Sequence, residues 1–179
     1  MPSYKKQTPR RPAPGKRMGI GMIAAAWVIL LGLLTAVFSH WLYQQENPNP
    51  RPSGTLTANG TREVVLLRNR QGHYVATGAI DGQPVRFLLD TGATTVSVPA
   101  DLAESLDLPT GPPSMTQTAN GIVTTYHTRL NEVRLGNIVL RDVRANINPH
   151  MPSGAVLLGM SFLKQIEFTQ QGDRLTLRQ

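Results

Sequence analysis

The first 60 residues divide into three stretches that differ in their pattern of hydrophobic and polar positions. Residues 18 to 43 carry no fixed charge, and the run MGIGMIAAAWVILLGLLTAVF is long and apolar enough to cross a bilayer as a helix. Residues 1 to 17 are polar and basic, while residues 44 to 60 are rich in Pro, Asn, Gly and Ser without apolar periodicity. The pattern predicts a basic cytoplasmic tail, a transmembrane anchor and a flexible linker, in that order.

The remaining residues, 61 to 179, alternate between short apolar segments and turn signals, as a single small β-rich domain does. Two brief helices are expected: one in PADLAESLDL, where Leu102 and Leu106 are four residues apart, and one in MSFLKQ. Four turn dipeptides separate β-prone segments and predict hairpins, at Asp81-Gly82, Asn120-Gly121, Gly136-Asn137 and Gly172-Asp173. The predicted fold class is mostly β, preceded by one transmembrane helix.

Charge is distributed unevenly along the chain. The net charge is +7, but six basic residues and no acidic one precede Met18, and the rest of the chain has 12 basic and 11 acidic residues. A nearly neutral main body does not provide the basic surface that nucleic-acid binding needs, so no nucleic-acid partner is expected. The same asymmetry predicts a cytoplasmic amino terminus, because only Arg51 follows the span closely. The domain would then be periplasmic or otherwise extracytoplasmic.

A cleaved signal peptide is the alternative to an anchor. The apolar region of a signal peptide usually has about 7 to 15 residues and ends at a small-residue cleavage site. Here the apolar run is longer and continues into SHWLYQQ. We therefore expect an uncleaved, single-pass anchor in the inner membrane.

Several kinds of chemistry find no support in the sequence. The chain has no cysteine, which excludes disulfides, thiol nucleophiles and Cys-ligated zinc. His73, His127 and His150 lack metal-ligand spacing, and no serine lies in a Gly-x-Ser-x-Gly motif. Neither a metal nor a cofactor is expected, so the chemistry must come from oxygen and nitrogen groups of the side chains.

Asp90 stands out because of its neighbours in VRFLLDTGATTVSV. Three large apolar residues precede it, and Thr91, Gly92 and Ala93 follow. A buried ionised carboxylate is costly unless it is paired or hydrogen-bonded, so its position requires a reason. Asp-Thr-Gly alone is weak evidence, since an Asx-type turn explains it equally well. Three further features of the sequence strengthen it: a β-rich domain, a hairpin after the triplet, and a second apolar-apolar-Gly element in VLLGMSFL.

This combination resembles the retropepsin-like aspartic proteases, and most closely their bacterial membrane-anchored members with one amino-terminal span. The resemblance covers about residues 74 to 177 and implies the single-lobe acid protease fold with one or two short helices. It implies that Asp90 is catalytic and that Thr91, Gly92 and Ala93 support the active-site loop. It also assigns the tip of a substrate-binding flap to Ala119, Asn120, Gly121 and Ile122, and the strand beside the loop to Leu157, Leu158 and Gly159. One departure is that this flap tip has only one glycine.

The activity that the resemblance implies is hydrolysis of peptide bonds by a water held between two aspartates that share a proton. Asp-Thr-Gly occurs once in the chain, so the mechanism requires a homodimer in which Asp90 of each subunit meets the other. The carboxy-terminal RLTLRQ is expected to add strands between the two chains. The alternative is a non-catalytic module on the same fold that binds or scaffolds peptides by β-augmentation. The intact triplet favours the endopeptidase.

Overall fold

The computed structural model of the protein describes residues 14–118 and 121–179, and the chain divides into two compact units between Leu42 and Tyr43. The first unit contains most of helix α1 (Pro14–Glu46). Within α1, Gly21–Ser39 has a mean hydropathy of 2.3, and its side chains are not buried by other parts of the protein. A helix of this length and composition suits a membrane span or a signal sequence. Most of the predicted basic tail, residues 1–13, lies outside the described residues.

The second unit is built almost entirely of short β-strands, as the turn pattern predicted. Its elements, in chain order, are β1 (Gly54–Leu56), β2 (Arg62–Leu67), β3 (Val75–Ile80), β4 (Gln83–Leu89), β5 (Val96–Pro99), α2 (Ala100–Ser105), β6 (Pro113–Thr118), β7 (Gly121–Leu135), β8 (Ile138–Asn148), β9 (Val156–Leu158), α3 (Met160–Leu163), β10 (Glu167–Gln171) and β11 (Arg174–Arg178). The mostly β fold class is therefore confirmed, and both short helices fall where the sequence predicted them.

The strands form two sheets around one core. The larger sheet has the order β3-β4-β9-β5-β8-β7-β6, and β3 pairs in addition with β7; the smaller has the order β1-β2-β11-β10. Alternating residues of the smaller sheet, such as Val64 and Leu66 in β2, turn inward and are fully buried. They join a core that includes Phe87 and Phe162, also fully buried. This core fixes β4, the strand that leads directly to Asp90.

The Asp81-Gly82 turn shows why the hairpins could be predicted. Both residues have positive φ, 49° at Asp81 and 82° at Gly82. This backbone belongs to the type I′ turn, which matches the twist of two antiparallel strands and favours Asp-Gly. Strands β3 and β4 pair accordingly, with Ile80 opposite Gln83.

The predicted flexible linker, residues 44 to 60, differs from the structure. Asn47 and Asn49 are buried, and β1 pairs with β2. The Asn49 side chain donates to the carbonyls of Leu67 (2.9 Å) and Val75 (2.7 Å) and accepts from the Leu67 N–H (2.8 Å). The Asn49 backbone also bridges to β3, so this segment completes the edge of that strand. The second unit consequently begins at Tyr43 rather than at residue 61.

Candidate active site

Asp90 is placed by the strand that precedes it. Strand β4 lies inside the larger sheet between β3 and β9, and it pairs in parallel with β9. The Leu89 N–H donates to the Tyr74 carbonyl (3.0 Å), and the Asp90 N–H donates to the Leu158 carbonyl (3.2 Å). These two backbone bonds fix the main chain of Leu89 and Asp90 at the end of the strand. The position from which the Asp90 side chain extends is therefore fixed as well.

The loop after β4 turns around the Asp90 side chain. The Gly92 N–H donates to Asp90 Oδ1 (2.9 Å), and the Ala93 N–H donates to the Asp90 carbonyl (3.2 Å). The carboxylate is half-buried, whereas Thr91 and Gly92 are exposed. The first bond is the Asx-type turn that the sequence also suggested. An Asx-type turn and a catalytic role of Asp90 are therefore compatible, because the hydrogen bond that closes the turn also orients the carboxylate.

Gly159 allows the loop to lie against β9. A Cβ atom at this position would lie 2.3 Å from the Thr95 carbonyl oxygen and 2.6 Å from the Ala93 carbonyl oxygen. The same Ala93 oxygen accepts a hydrogen bond from the Met160 N–H (2.8 Å). Only glycine permits this close approach of backbone to backbone. The structure thus brings Leu158 and Gly159, at the end of β9, beside the loop that carries Asp90.

Ser161 braces the strand that follows the loop, and sequence reasoning missed it. Its buried hydroxyl accepts from the Val96 N–H (2.9 Å) and donates to the Arg144 carbonyl (2.7 Å). It thereby ties α3 to both β5 and β8. No local motif marks such a residue, because its partners are 65 and 17 residues away in the chain.

Strands β6 and β7 form the predicted hairpin, from Pro113 opposite Tyr126 to Thr118 opposite Gly121. Ala119 and Asn120, predicted for the flap tip, lie outside the described residues. Met115 and Ile122 lie on the same face of the hairpin and are 71% and 63% exposed. Gly121 has a φ of 111°, which favours glycine. We call this β6–β7 hairpin the flap; its apolar face is available for contact.

The smaller sheet ends in an unpaired edge strand. In β10 all five residues are exposed, and Phe168 is 40% exposed. The carboxy-terminal strand β11 instead lies between β2 and β10, so both of its edges are occupied within one chain. The expectation that RLTLRQ supplies interchain strands is therefore not met, because the preceding segment occupies the sheet edge.

In the described parts of the chain, no three His, Asp or Glu side chains come close enough together to hold a metal ion.

Comparisons with known proteins agree with this fold. The model of the gag-polyprotein aspartyl protease family matches residues 76–165. Among solved structures, a retropepsin-like aspartic protease from Rickettsia conorii superposes with a TM-score of 0.55; the sequences are 24% identical, and the match covers 66% of this chain and 90% of that one. This likeness supports the fold.

Two relatives among curated proteins bear the name uncharacterized protein. One, from the cobV 5' region of a Sinorhizobium species, is 33% identical over 127 residues, which are 68% of this chain and 54% of the relative. The other, from Rickettsia prowazekii, is 25% identical over 111 residues, which are 59% of this chain and 46% of the relative. The chain spans about half the length of the curated relatives it matches.

Proposed function

Because the chain belongs to the retropepsin-like aspartic proteases, we propose that it is a membrane-anchored aspartic endopeptidase whose active site forms between two copies. The observation that carries this proposal is the Asp-Thr-Gly loop. Asp90 is oriented by the Gly92 N–H, while Thr91 and Gly92 remain exposed at the surface of a single copy. A second loop can approach them, as a shared site requires.

In the proposed reaction, a water lies between the two Asp90 carboxylates, which hold one proton between them. Two carboxylates that hold the same water cannot both ionise easily, because their negative charges repel each other. The ionised carboxylate accepts a proton from the water as the water attacks the scissile carbonyl. The protonated carboxyl donates to the developing oxyanion, and the leaving amine is then protonated. The water is the nucleophile, so no acyl-enzyme forms.

Two features of the described chain support a homodimer. The exposed loop presents Gly92, which has no side chain to obstruct a facing loop, and Thr91, whose hydroxyl can bond across a two-fold axis. The free edge of β10 offers main-chain groups that a second copy can pair. We therefore assign interchain pairing to β10 rather than to the carboxy-terminal strand.

Anchoring rests on α1 and on the charge asymmetry around it. The apolar window Gly21–Ser39 is preceded by the basic tail, which favours a cytoplasmic amino terminus and a domain on the opposite side of the membrane. A reporter that works only outside the cytoplasm, fused after Gln179, should be active. A mature chain that begins near Gln44 would show instead that the helix is a cleaved signal.

The activity test uses the full chain in detergent and an unfolded protein mixture at acidic pH. Wild type should cleave it, and Asp90→Asn should abolish cleavage while circular dichroism stays unchanged, because Asn preserves the shape but not the proton chemistry. Asp107→Asn is the matched control. This carboxylate is exposed, and its φ of 52° is one that Asn tolerates, so the control should keep full activity.

The shared site can be tested separately. Excess Asp90→Asn chains should inhibit wild type by forming half-sites, and specific activity should fall on dilution. Full activity of Asp90→Asn would overturn the catalytic assignment. Concentration-independent activity in a sample shown by ultracentrifugation to be monomeric would overturn the dimer.

A further inference from the structure

A cavity of about 490 Å³ opens at the base of the flap. It is lined by Thr95, by residues 109–111 and 127–129, and by Arg144 and Ala145. Residues 109–111 lead into the flap and residues 127–129 lead out of it; the two stems are joined because the Gly111 N–H donates to the His127 carbonyl (2.8 Å). Thr95 follows Asp90 by five residues in the chain. The cavity is thus bounded by continuations of both the active-site loop and the flap.

Two arginines of this cavity are direct partners across β7 and β8. Arg129 lies opposite Arg144 in the strand register, and like charges in that position destabilise a sheet. The charge of Arg129 is compensated by Asp142, which accepts a hydrogen bond from it; this bond holds the pKa of the Asp142 carboxyl below its usual range. Arg144 has no such partner in the described part of the chain.

The contrast with neighbouring arginines makes Arg144 distinctive. Arg134 and Arg141, on the same two strands, both pair with Glu132, at 2.7 and 3.2 Å. Both lie outside the cavity. Among the arginines of β7 and β8, the one left without a carboxylate partner in the described residues is therefore the one that lines the cavity beside a second guanidinium.

The hydroxyl group of Thr95 adds a donor to this positive site. Thr95 Oγ1 accepts from Asn146 Nδ2 (2.9 Å), so its own O–H remains for another acceptor. Asn146 is oriented in turn by the Ser97 hydroxyl (2.6 Å). Thr128 is buried, and its hydroxyl has no hydrogen-bond partner among the described residues. This oxygen is inaccessible to solvent, so Thr95 supplies the hydroxyl donor that a ligand in the cavity can reach.

We propose that this cavity is a specificity subsite that binds an acidic side chain of the polypeptide substrate, at a position removed from the scissile bond. The inference rests on the proposed endopeptidase function. An extended peptide bound between the active-site loop and the flap would pass along the segments that bound the cavity. The guanidinium of Arg144 matches a carboxylate in charge and in planar geometry, and the Thr95 hydroxyl can donate a further hydrogen bond to it.

The first measurement is the cleavage preference of the full chain in detergent against a peptide library. Glu or Asp should be enriched at one fixed distance from the cleaved bond. Matched peptides that differ only by Glu or Gln at that position then give a ratio of kcat/KM within each variant. Because the ratio is internal, it is independent of the fraction of each variant that is folded.

Arg144→Gln should lower the Glu/Gln ratio roughly tenfold or more, the effect expected for a charge-assisted hydrogen bond. Arg144→Glu should reverse the preference toward Lys at that position. Arg144→Lys keeps the charge and should retain part of the ratio. Arg141→Gln is the matched control: it removes an arginine of the same strand that lies outside the cavity, and should leave the ratio unchanged.

Binding separates this proposal from the catalytic one. Fluorescence polarisation on the Asp90→Asn chain measures library peptides without cleavage, and acidic peptides should bind more tightly in a way that Arg144→Gln abolishes. If wild type cleaves nothing but this binding preference is present, the endopeptidase proposal fails and the acidic subsite stands. The subsite proposal would be overturned if Glu and Gln peptides were cleaved or bound equally well and if Arg144→Gln changed neither property.

Discussion

Replacing Gly159 with alanine tests whether the packing of the active-site loop on β9 controls activity. The added Cβ would lie 2.3 Å from the Thr95 carbonyl oxygen and 2.6 Å from the Ala93 carbonyl oxygen, and both are backbone atoms that no rotamer change can move. Carbon and oxygen atoms that are not bonded to each other ordinarily lie at least ~3.3 Å apart. The loop and β9 must therefore separate by about 1 Å, the difference between these distances.

Two losses should follow from that separation. Forcing an extra methyl group into a packed region costs about 1–3 kcal/mol of folding free energy. Displacing a catalytic group by about 1 Å can cost about 100-fold in rate. Since Asp90 and Ala93 belong to the same hydrogen-bonded turn, the displacement should reach the carboxylate. We expect kcat/KM of Gly159→Ala to fall about 100-fold in protein that is still folded.

Gly78→Ala is the matched control for this experiment. Its added Cβ would lie 2.3 Å from the Arg134 carbonyl oxygen, which is as close as at Gly159, and 2.7 Å from the Phe87 ring; none of its three nearest atoms belongs to the active-site loop. Both variants should show lower free energies of unfolding in urea, and only Gly159→Ala should lose activity per folded molecule. Wild-type kcat/KM in folded Gly159→Ala, or an equal loss in both variants, would refute the reasoning.

Three further changes test other parts of the fold. Asn49→Ala removes three buried side-chain hydrogen bonds and should lower the free energy of unfolding in urea by about 2–4 kcal/mol; an unchanged midpoint would mean that this segment is only loosely attached. The hydrogen bond from Arg134 lowers the pKa of Glu132, so its stabilisation should be present above its ordinary pKa of 4.5 and disappear as the pH falls through the lower folded value. Melting temperatures of wild type and Glu132→Gln should accordingly differ at neutral pH and converge in acid, and a constant gap would contradict this. Thr169→Lys on the free edge of β10 should weaken dimerisation in ultracentrifugation through like-charge repulsion, whereas Thr55→Lys on the opposite edge strand β1 should not; the reverse result would move the interface to β1.

Local turn chemistry explains why much of the β framework could be predicted. At Asp81-Gly82, Gly136-Asn137 and Gly172-Asp173, residues that tolerate positive φ occur between apolar segments, and each dipeptide lies between two antiparallel strands in the structure. The placement of Asp90 followed from the same local reasoning. Its apolar predecessors form the strand, and the triplet itself forms the turn.

Features that depend on distant partners could not be predicted in this way. The Pro- and Asn-rich composition of residues 44 to 60 is typical of linkers, yet Asn49 bonds to residues 18 and 26 positions away. An asparagine amide has a donor and an acceptor arranged like those of a backbone, so it can complete a strand edge without any strand pattern. Arg144 was inconspicuous for the same reason. Its position opposite Arg129 depends on the register of β7 and β8, which one sequence does not reveal.

Several exposed features of the described domain suit the proposed reaction. Apolar residues elsewhere in the sheets are largely buried, yet Met115 and Ile122 stay exposed on one face of the flap, where an extended peptide could cover them. Thr91 and Gly92 are exposed and the outer edge of β10 is polar and unpaired within the described residues, which suits a second copy of the chain rather than an apolar ligand. A non-catalytic peptide-binding module would account for the flap. It gives no reason for a half-buried carboxylate fixed by its own loop at the surface where a second copy would meet it, and Asp90 therefore favours the shared catalytic site.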